Sequence, residues 1–316
     1  MSCLRSLLCR FSEVLMKLVS AYFVIAALQN LCYNDRQIFS NTLQYIRKEV
    51  KRTMLYNSQS PIGIYDSGVG GLTVLRELRA RLPGENILYF GDSANCPFGN
   101  RDEKELTAIT NRIFSFFRDQ DVKLTVSACN TTSALFQLKG EPDIGFRVLS
   151  IIEPISHKIA RLGLDEVGVI ATEFTISSGI YEKLIRRENP DIRVWGQYSR
   201  NLARLVDNCL WDEIPAEVEA CAGALLGRHP LDHIILACTH YPIVREQFCR
   251  VAPGVTFLDP AQDQALAAER LLAEKNLQNT GSEGTVRIYT SGDPALFEEV
   301  AGRLGFEDTK IERLTL

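Results

Sequence analysis

Two cysteines stand at matching places in the chain. Cys129 follows the run Val126-Ser127-Ala128 and precedes Asn130-Thr131-Thr132, and Cys238 follows Ile235-Leu236-Ala237 and precedes Thr239-His240-Tyr241-Pro242. Each thiol comes after an apolar, strand-like run, stands before hydroxyl-bearing residues and opens a predicted helix. The positive end of a helix favours the thiolate, the reactive form of the side chain. Two such thiols at equivalent points of successive strand–helix units point to two halves that face one ligand. A thiol on each side of a carbon atom can take a proton from one face and return one to the other, which a single base does not easily do. His240, two residues beyond Cys238, either orients or deprotonates that thiol or is an ordinary loop histidine. Asp66 either serves Cys129 in the same way or caps the helix that follows it.

A third strand-like run ends in Asp66-Ser67-Gly68-Val69-Gly70-Gly71-Leu72. Its glycines let the backbone turn tightly and approach a ligand, and the next helix would offer free N–H groups to an anion. A tight turn that binds nothing has the same composition. The spacing is neither that of a dinucleotide fingerprint nor that of a phosphate-binding P-loop. The chain has nine cysteines without Cys-x-x-Cys spacing, which gives neither a disulfide framework nor a zinc site and suits a reducing, cytoplasmic compartment. Cys209, Cys221 and Cys249 lie in helical patterns and read as small apolar side chains. With four histidines and no His-Glu-x-x-His run, no metal is expected.

These residues need a scaffold. Short β-branched runs alternate with amphipathic stretches from residue 61 onward. Strands are predicted at 62–65, 86–90, 124–128, 167–171, 234–237 and 286–290. Helices are predicted at 72–81, 103–120, from 129 through 138, around 178–189, near 243–251 and at 294–304. Such alternation specifies an α/β fold with largely parallel sheets. A chain of 316 residues, 46% hydrophobic and 23% charged, suffices for two such domains. A formal net charge of −4 argues against a nucleic-acid partner but not against a small anion in a locally positive pocket. The first 53 residues carry eight Lys/Arg against three Asp/Glu, opposite in balance to the remainder. Their apolar stretch, 18–28, is too short for a membrane span of about 20 residues, and no clear cleavage site makes it a signal peptide. The expectation is that Met54 is the biological start or that 1–53 is a poorly packed extension, with no membrane partner.

The runs Asp66-Ser67-Gly68-Val69-Gly70-Gly71-Leu72, Ala128-Cys129-Asn130-Thr131 and Ala237-Cys238-Thr239-His240-Tyr241-Pro242, in this order, resemble the glutamate racemase branch of the aspartate/glutamate racemase family. Gly91-Asp92-Ser93-Ala94-Asn95-Cys96-Pro97-Phe98-Gly99 is similar to its Gly-Asp-Thr…Pro-Tyr-Gly loop, and Thr172, Thr175, Ser178 and Tyr181 stand at the spacing of its Thr-x-x-Thr-x-x-Ser-x-x-Tyr segment. The likeness covers about 61–316. It implies two pseudo-symmetric α/β domains, 61–152 plus 260–316 and 153–259, with the active site in the interdomain cleft, and a homodimer. It implies cofactor-independent interconversion of L-glutamate and D-glutamate, supplying D-glutamate for peptidoglycan. Cys129 assisted by Asp66 would deprotonate the D-enantiomer, and Cys238 assisted by His240 the L-enantiomer. Ser67, Asn130, Thr131, Thr175 and Thr239, with backbone N–H groups at Gly99, would hold the α-carboxylate, beside Pro97 and Phe98. Departures are Phe98 in place of Tyr, Tyr198-Ser199-Arg200-Asn201-Leu202 in place of an Ala-Cys-Pro-Leu-like run, Asp207 in place of Glu, and the smaller variations Ser127 and Thr132. Two other readings remain: a racemase of another small acid such as aspartate, and a non-catalytic amino-acid-binding protein of the same fold. A chain begun at Met54 is expected to fold and to keep full activity; loss of soluble, active protein on that truncation contradicts the expectation.

Overall fold

In the first sheet, strand β1 (Ile62–Asp66) lies between β2 (Ile87–Gly91) and β3 (Leu124–Ser127), with β4 (Val148–Ser150) beyond β3. Two late strands, β9 (Val286–Thr290) and β10 (Ile311–Arg313), extend the β2 edge. The second sheet places β5 (Glu166–Ala171) between β6 (Arg193–Tyr198) and β7 (His233–Ala237), followed by β8 (Thr256–Leu258). Every strand pair is parallel. This computed structural model describes residues 56–140 and 144–316. The readings made for 1–53, and for Met54 as a start, lie outside the described residues. Ser58–Leu316 forms one compact unit.

The orders β2-β1-β3-β4 and β6-β5-β7-β8 are the same path drawn twice, so the two halves are pseudo-symmetric. In each, the chain leaves the first strand toward one neighbour and then returns to the other side. That reversal is a topological switch point, and ligands of open α/β sheets bind beyond the carboxyl ends of the strands there. Asp66 ends β1, and Cys129 comes shortly after β3. Thr172 follows β5 directly, and Cys238 follows β7 directly. The central strands are buried along their length, which is why they read as continuous apolar runs rather than as alternating ones.

Local signals explain the element ends. Helix α1 (Leu72–Arg81) starts directly out of the glycine turn. Helix α2 (Glu103–Asp119) has a reciprocal capping box between Asp102 and Glu105. Helix α3 (Asn130–Lys139) begins at Cys129 and stops at Gly140, whose φ of 94° costs glycine little and other residues more. The helix predicted around 178–189 is observed at 180–188. A short helix α5 (Glu173–Ser177) follows α4 (Ile152–Arg161), and a left-handed Gly179 (φ 63°) separates it from α6 (Ile180–Glu188). The predicted helix near 243–251 is a 3₁₀ turn, Tyr241–Val244, leading into Arg245–Val251. Among the described residues no helix is long and apolar enough to cross a membrane.

At the opposite, amino-terminal edge of the first sheet, Lys123 and Glu85 form an ion pair with both side chains fully buried. The Lys123 ammonium also donates to the Ser58 and Leu277 carbonyls at 2.6 and 2.8 Å, and Glu85 accepts from the Asn279 N–H at 2.7 Å. The pair therefore ties the segment before β1 to the stretch leading into β9. Removing one partner leaves the other charged and unpaired in the interior, which typically costs about 3–5 kcal/mol. Lys123→Met is expected to lower unfolding stability by that order in chemical denaturation; an unchanged midpoint would show that the pair contributes nothing net.

Candidate active site

Asp66 is fully buried at the end of β1. Its Oδ2 accepts from the N–H groups of Gly68 and Gly71 at 3.2 and 3.1 Å, so the carboxylate holds the glycine turn in shape. From the other sheet, the Thr239 hydroxyl donates to both oxygens at 3.1 and 3.2 Å. Burial pushes the Asp66 carboxyl up from its ordinary range, against the lowering effect of His240, the Gly68 N–H and Thr239. The close approach depends on Gly70. A Cβ there would lie 2.6 Å from both the His240 Nδ1 and the Thr239 Oγ1. Ser67 is buried in the same turn.

Cys129 is the N-cap of α3 and is buried. The sequence reading expected the helix end to lower its pKa. Instead burial, and then the neighbouring Asp66 carboxylate, push the thiol up to about 12; hydrogen bonding with Thr132 only partly opposes this. Desolvation outweighs a helix of ten residues here. Cys238, from the other sheet, also raises the Cys129 thiol electrostatically. Beneath the Cys129 loop lies a buried hydroxyl cluster: Tyr65 donates to Thr132 at 3.1 Å and Ser127 to Tyr65 at 2.9 Å. Ser127 and Thr132, noted in the sequence as variations, thus act together as a support for this loop.

Cys238 is not at an α-helix N-terminus. It precedes a loop that enters the 3₁₀ turn, and its neighbour is His240, with Sγ 3.8 Å from Nδ1. The opposite ring nitrogen, Nε2, is 3.0 Å from Asp207 Oδ1. Asp207, at the end of helix α7 (Leu202–Asp207), also accepts from the Val69 N–H at 2.8 Å. Burial alone would push the His240 imidazole down. Asp207, Cys238 and Cys96 together outweigh it and hold the pKa well above the usual histidine value. His240 therefore holds a proton more readily than an ordinary histidine, and its Nδ1 faces a thiol. Neither Asp207 nor Cys96 had been given a role in the sequence reading; Asp207 was visible there only as a departure from a family Glu.

The third group is polar and is built around Asn130, the residue after Cys129. Tyr181 donates to the Asn130 Oδ1 at 2.6 Å, which fixes the amide so that Nδ2 faces elsewhere. That Nδ2 is buried and has no hydrogen-bond partner among the described residues. An unpaired buried donor costs about 1–3 kcal/mol unless a ligand acceptor meets it. Thr131, Thr172 and Thr175 form a hydroxyl chain with 3.0 Å steps. Gly99 abuts it: a Cβ on Gly99 would lie 2.4 Å from the Thr172 Cβ. Half-buried Pro97 and buried Phe98 lie in the same loop after β2 and bring Gly99 to that place. Thr172 and Tyr181 are the residues here that had been quoted only as motif positions, without a role.

Two pseudo-symmetric parallel α/β halves, with one thiol after the third strand of each and a buried carboxyl or imidazole beside it, form an arrangement able to carry acid/base chemistry. Residues 72–268 match the family model described as Asp/Glu/Hydantoin racemase, and the chain belongs to that family. It is 38% identical over 252 residues to a glutamate racemase of Herpetosiphon aurantiacus, covering 78% of this chain and 98% of that one. It is similar in structure to a glutamate racemase isoform of Bacillus anthracis, with a TM-score of 0.74, 30% identity, and coverage of 82% of this chain and 98% of the other. A Francisella tularensis glutamate racemase solved in complex with D-glutamate gives a TM-score of 0.72 at 29% identity, with the same coverage.

Asp207→Asn keeps an acceptor for Val69 but removes the negative charge beside the imidazole. The His240 pKa is expected to fall, followed as the histidine ring resonances titrate by NMR; an unmoved titration would mean that Asp207 does not hold the proton.

Proposed function

We propose that this enzyme interconverts L- and D-glutamate without a cofactor, Cys129 and Cys238 exchanging the roles of base and acid on opposite faces of the α-carbon. The observation that carries the reading is the pair of buried thiols, one from each half, close enough that Cys238 adds to the upward push on the Cys129 thiol. In the D-to-L direction the Cys129 thiolate takes the α-proton while the Cys238 thiol, next to the His240 imidazolium, delivers its proton to the other face. In the reverse direction Cys238 is the base, and His240 stabilises its thiolate. A thiol pushed up to about 12 is rarely ionised at neutral pH but is a strong base once it is, which suits a weakly acidic carbon.

The carbanionic intermediate places negative charge on the α-carboxylate. Preorganised donors lower the cost of that charge, typically by several kcal/mol. Asn130 Nδ2 is such a donor, and Ser67, Thr131, Thr175, Thr239 and the Gly99 backbone complete the set. With Phe98 where relatives of this type carry Tyr, one hydroxyl is missing from the pocket. We assign the halves to 61–152 plus 260–316 and 153–259, with the reaction between them. A homodimer in the cytoplasm, supplying D-glutamate to peptidoglycan synthesis, completes the reading. Assay of both enantiomers of aspartate beside glutamate separates it from the closest alternative substrate.

Partial reactions test the two-thiol assignment. Elimination of chloride from β-chloroalanine needs only the first deprotonation. Cys238→Ser should stop racemisation yet retain elimination from the D-analogue, and Cys129→Ser should retain it from the L-analogue. Equal elimination from both enantiomers by both variants, or racemisation at the wild-type rate by either, contradicts the assignment.

A further inference from the structure

Cys96, Asp207 and His240 bring a thiol sulfur, a carboxylate oxygen and an imidazole nitrogen within 4.8 Å of one another. They come from three separate segments: the loop after β2, the end of α7 and the loop after β7. Cys96 neither takes nor gives the substrate proton in the scheme above, although it is one of the groups beside His240. Donors bound to one Zn²⁺ at about 2.0–2.3 Å stand roughly 3.3–3.7 Å apart in a tetrahedral arrangement. The observed set needs only side-chain adjustments of about an ångström to reach that geometry. A sulfur, a nitrogen and a single oxygen suit borderline ions such as Zn²⁺, Co²⁺ or Cd²⁺ and suit Mg²⁺ or Ca²⁺ poorly.

Charge also favours a dication. As ligands the three groups are a thiolate, a carboxylate and a neutral imidazole, any displaced protons passing to solvent. A divalent ion held by them leaves no net charge in this largely buried place, the condition under which buried charges are tolerated.

We propose that Cys96, Asp207 and His240 form an inhibitory site for a borderline divalent metal ion. The ion occupies His240 Nε2, the nitrogen that faces Asp207, and replaces that link, so the ring whose Nδ1 faces Cys238 is fixed and can no longer change protonation on its far side as this thiol acts as acid and as base. The inhibitory part rests on the function proposed above; the binding part does not.

The full chain is titrated with Co²⁺ alone and followed by absorption, and separately assayed for glutamate racemisation with Zn²⁺ added. Thiolate-to-Co²⁺ charge-transfer absorption is expected in the wild type and lost in both Cys96→Ala and Cys96→Ser. Zn²⁺ should inhibit the wild type, with activity restored by a chelator. Measured against its own metal-free rate, each variant should need at least about tenfold more Zn²⁺ for the same fractional inhibition, the least that loss of a metal-supporting group costs. No absorption in the wild type overturns the proposal. So does absorption or inhibition unchanged in the Cys96 variants, which would put the ion on Cys129 and Cys238. Cys96-dependent Co²⁺ absorption in a protein that does not racemise glutamate supports the site and refutes the function instead.

Discussion

The Asp207 carboxylate accepts from the Val69 N–H in the glycine turn of the first sheet and from His240 beyond the second sheet's β7. Asp66 makes the reciprocal link, holding the same turn through Gly68 and Gly71 while receiving the Thr239 hydroxyl. These two buried carboxylates join the carboxyl ends of the sheets. Each accepts backbone N–H donors on one side and a side chain of the Cys238 loop on the other. The geometry of the thiols relative to each other depends on this joint. It also requires glycine at 68 and 70: a Cβ on Gly68 would lie 2.0 Å from Asp207 Oδ1, and one on Gly70 would meet His240 and Thr239.

Burial sets the energetics of the site. Desolvation is the largest influence on Asp66, Cys129 and His240 alike, raising the first two and opposing the third. It makes Cys129 a stronger and scarcer base. For His240 specific partners win, because a carboxylate at 3.0 Å in a water-poor place interacts far more strongly than it would in solvent. The two thiols thus sit in unlike surroundings, one beside a carboxylate and the other beside an imidazole, although they occupy equivalent places in the repeated topology.

Much of this was legible in the sequence because it is local. The strand runs around 62–65, 124–128 and 234–237 and the residues that end them are contiguous, and parallel strands buried on both faces announce themselves as apolar stretches. The short strands at 148–150, 256–258 and 311–313 lack such runs. The short helix at 173–177 was not read either, since five residues are too few for a helical period to show. The partners of the reactive groups were harder to read. Asp207 meets His240 across 33 residues and Tyr181 meets Asn130 across 51, and no spacing rule reports such contacts. The expected lowering of the Cys129 pKa failed for a related reason. The helix end is visible in sequence, but the depth of burial that outweighs it is a property of the packed fold.

The central claim is that two different groups handle the two protons. Racemisation of L-glutamate in D₂O, stopped at low conversion and read by mass spectrometry or proton NMR at Cα, tests this directly. Two thiols on opposite faces predict that the D-glutamate formed carries solvent deuterium while the remaining L-glutamate keeps its original hydrogen. Product D-glutamate that retains the substrate's own hydrogen would mean that one group serves both faces, and the account would be wrong.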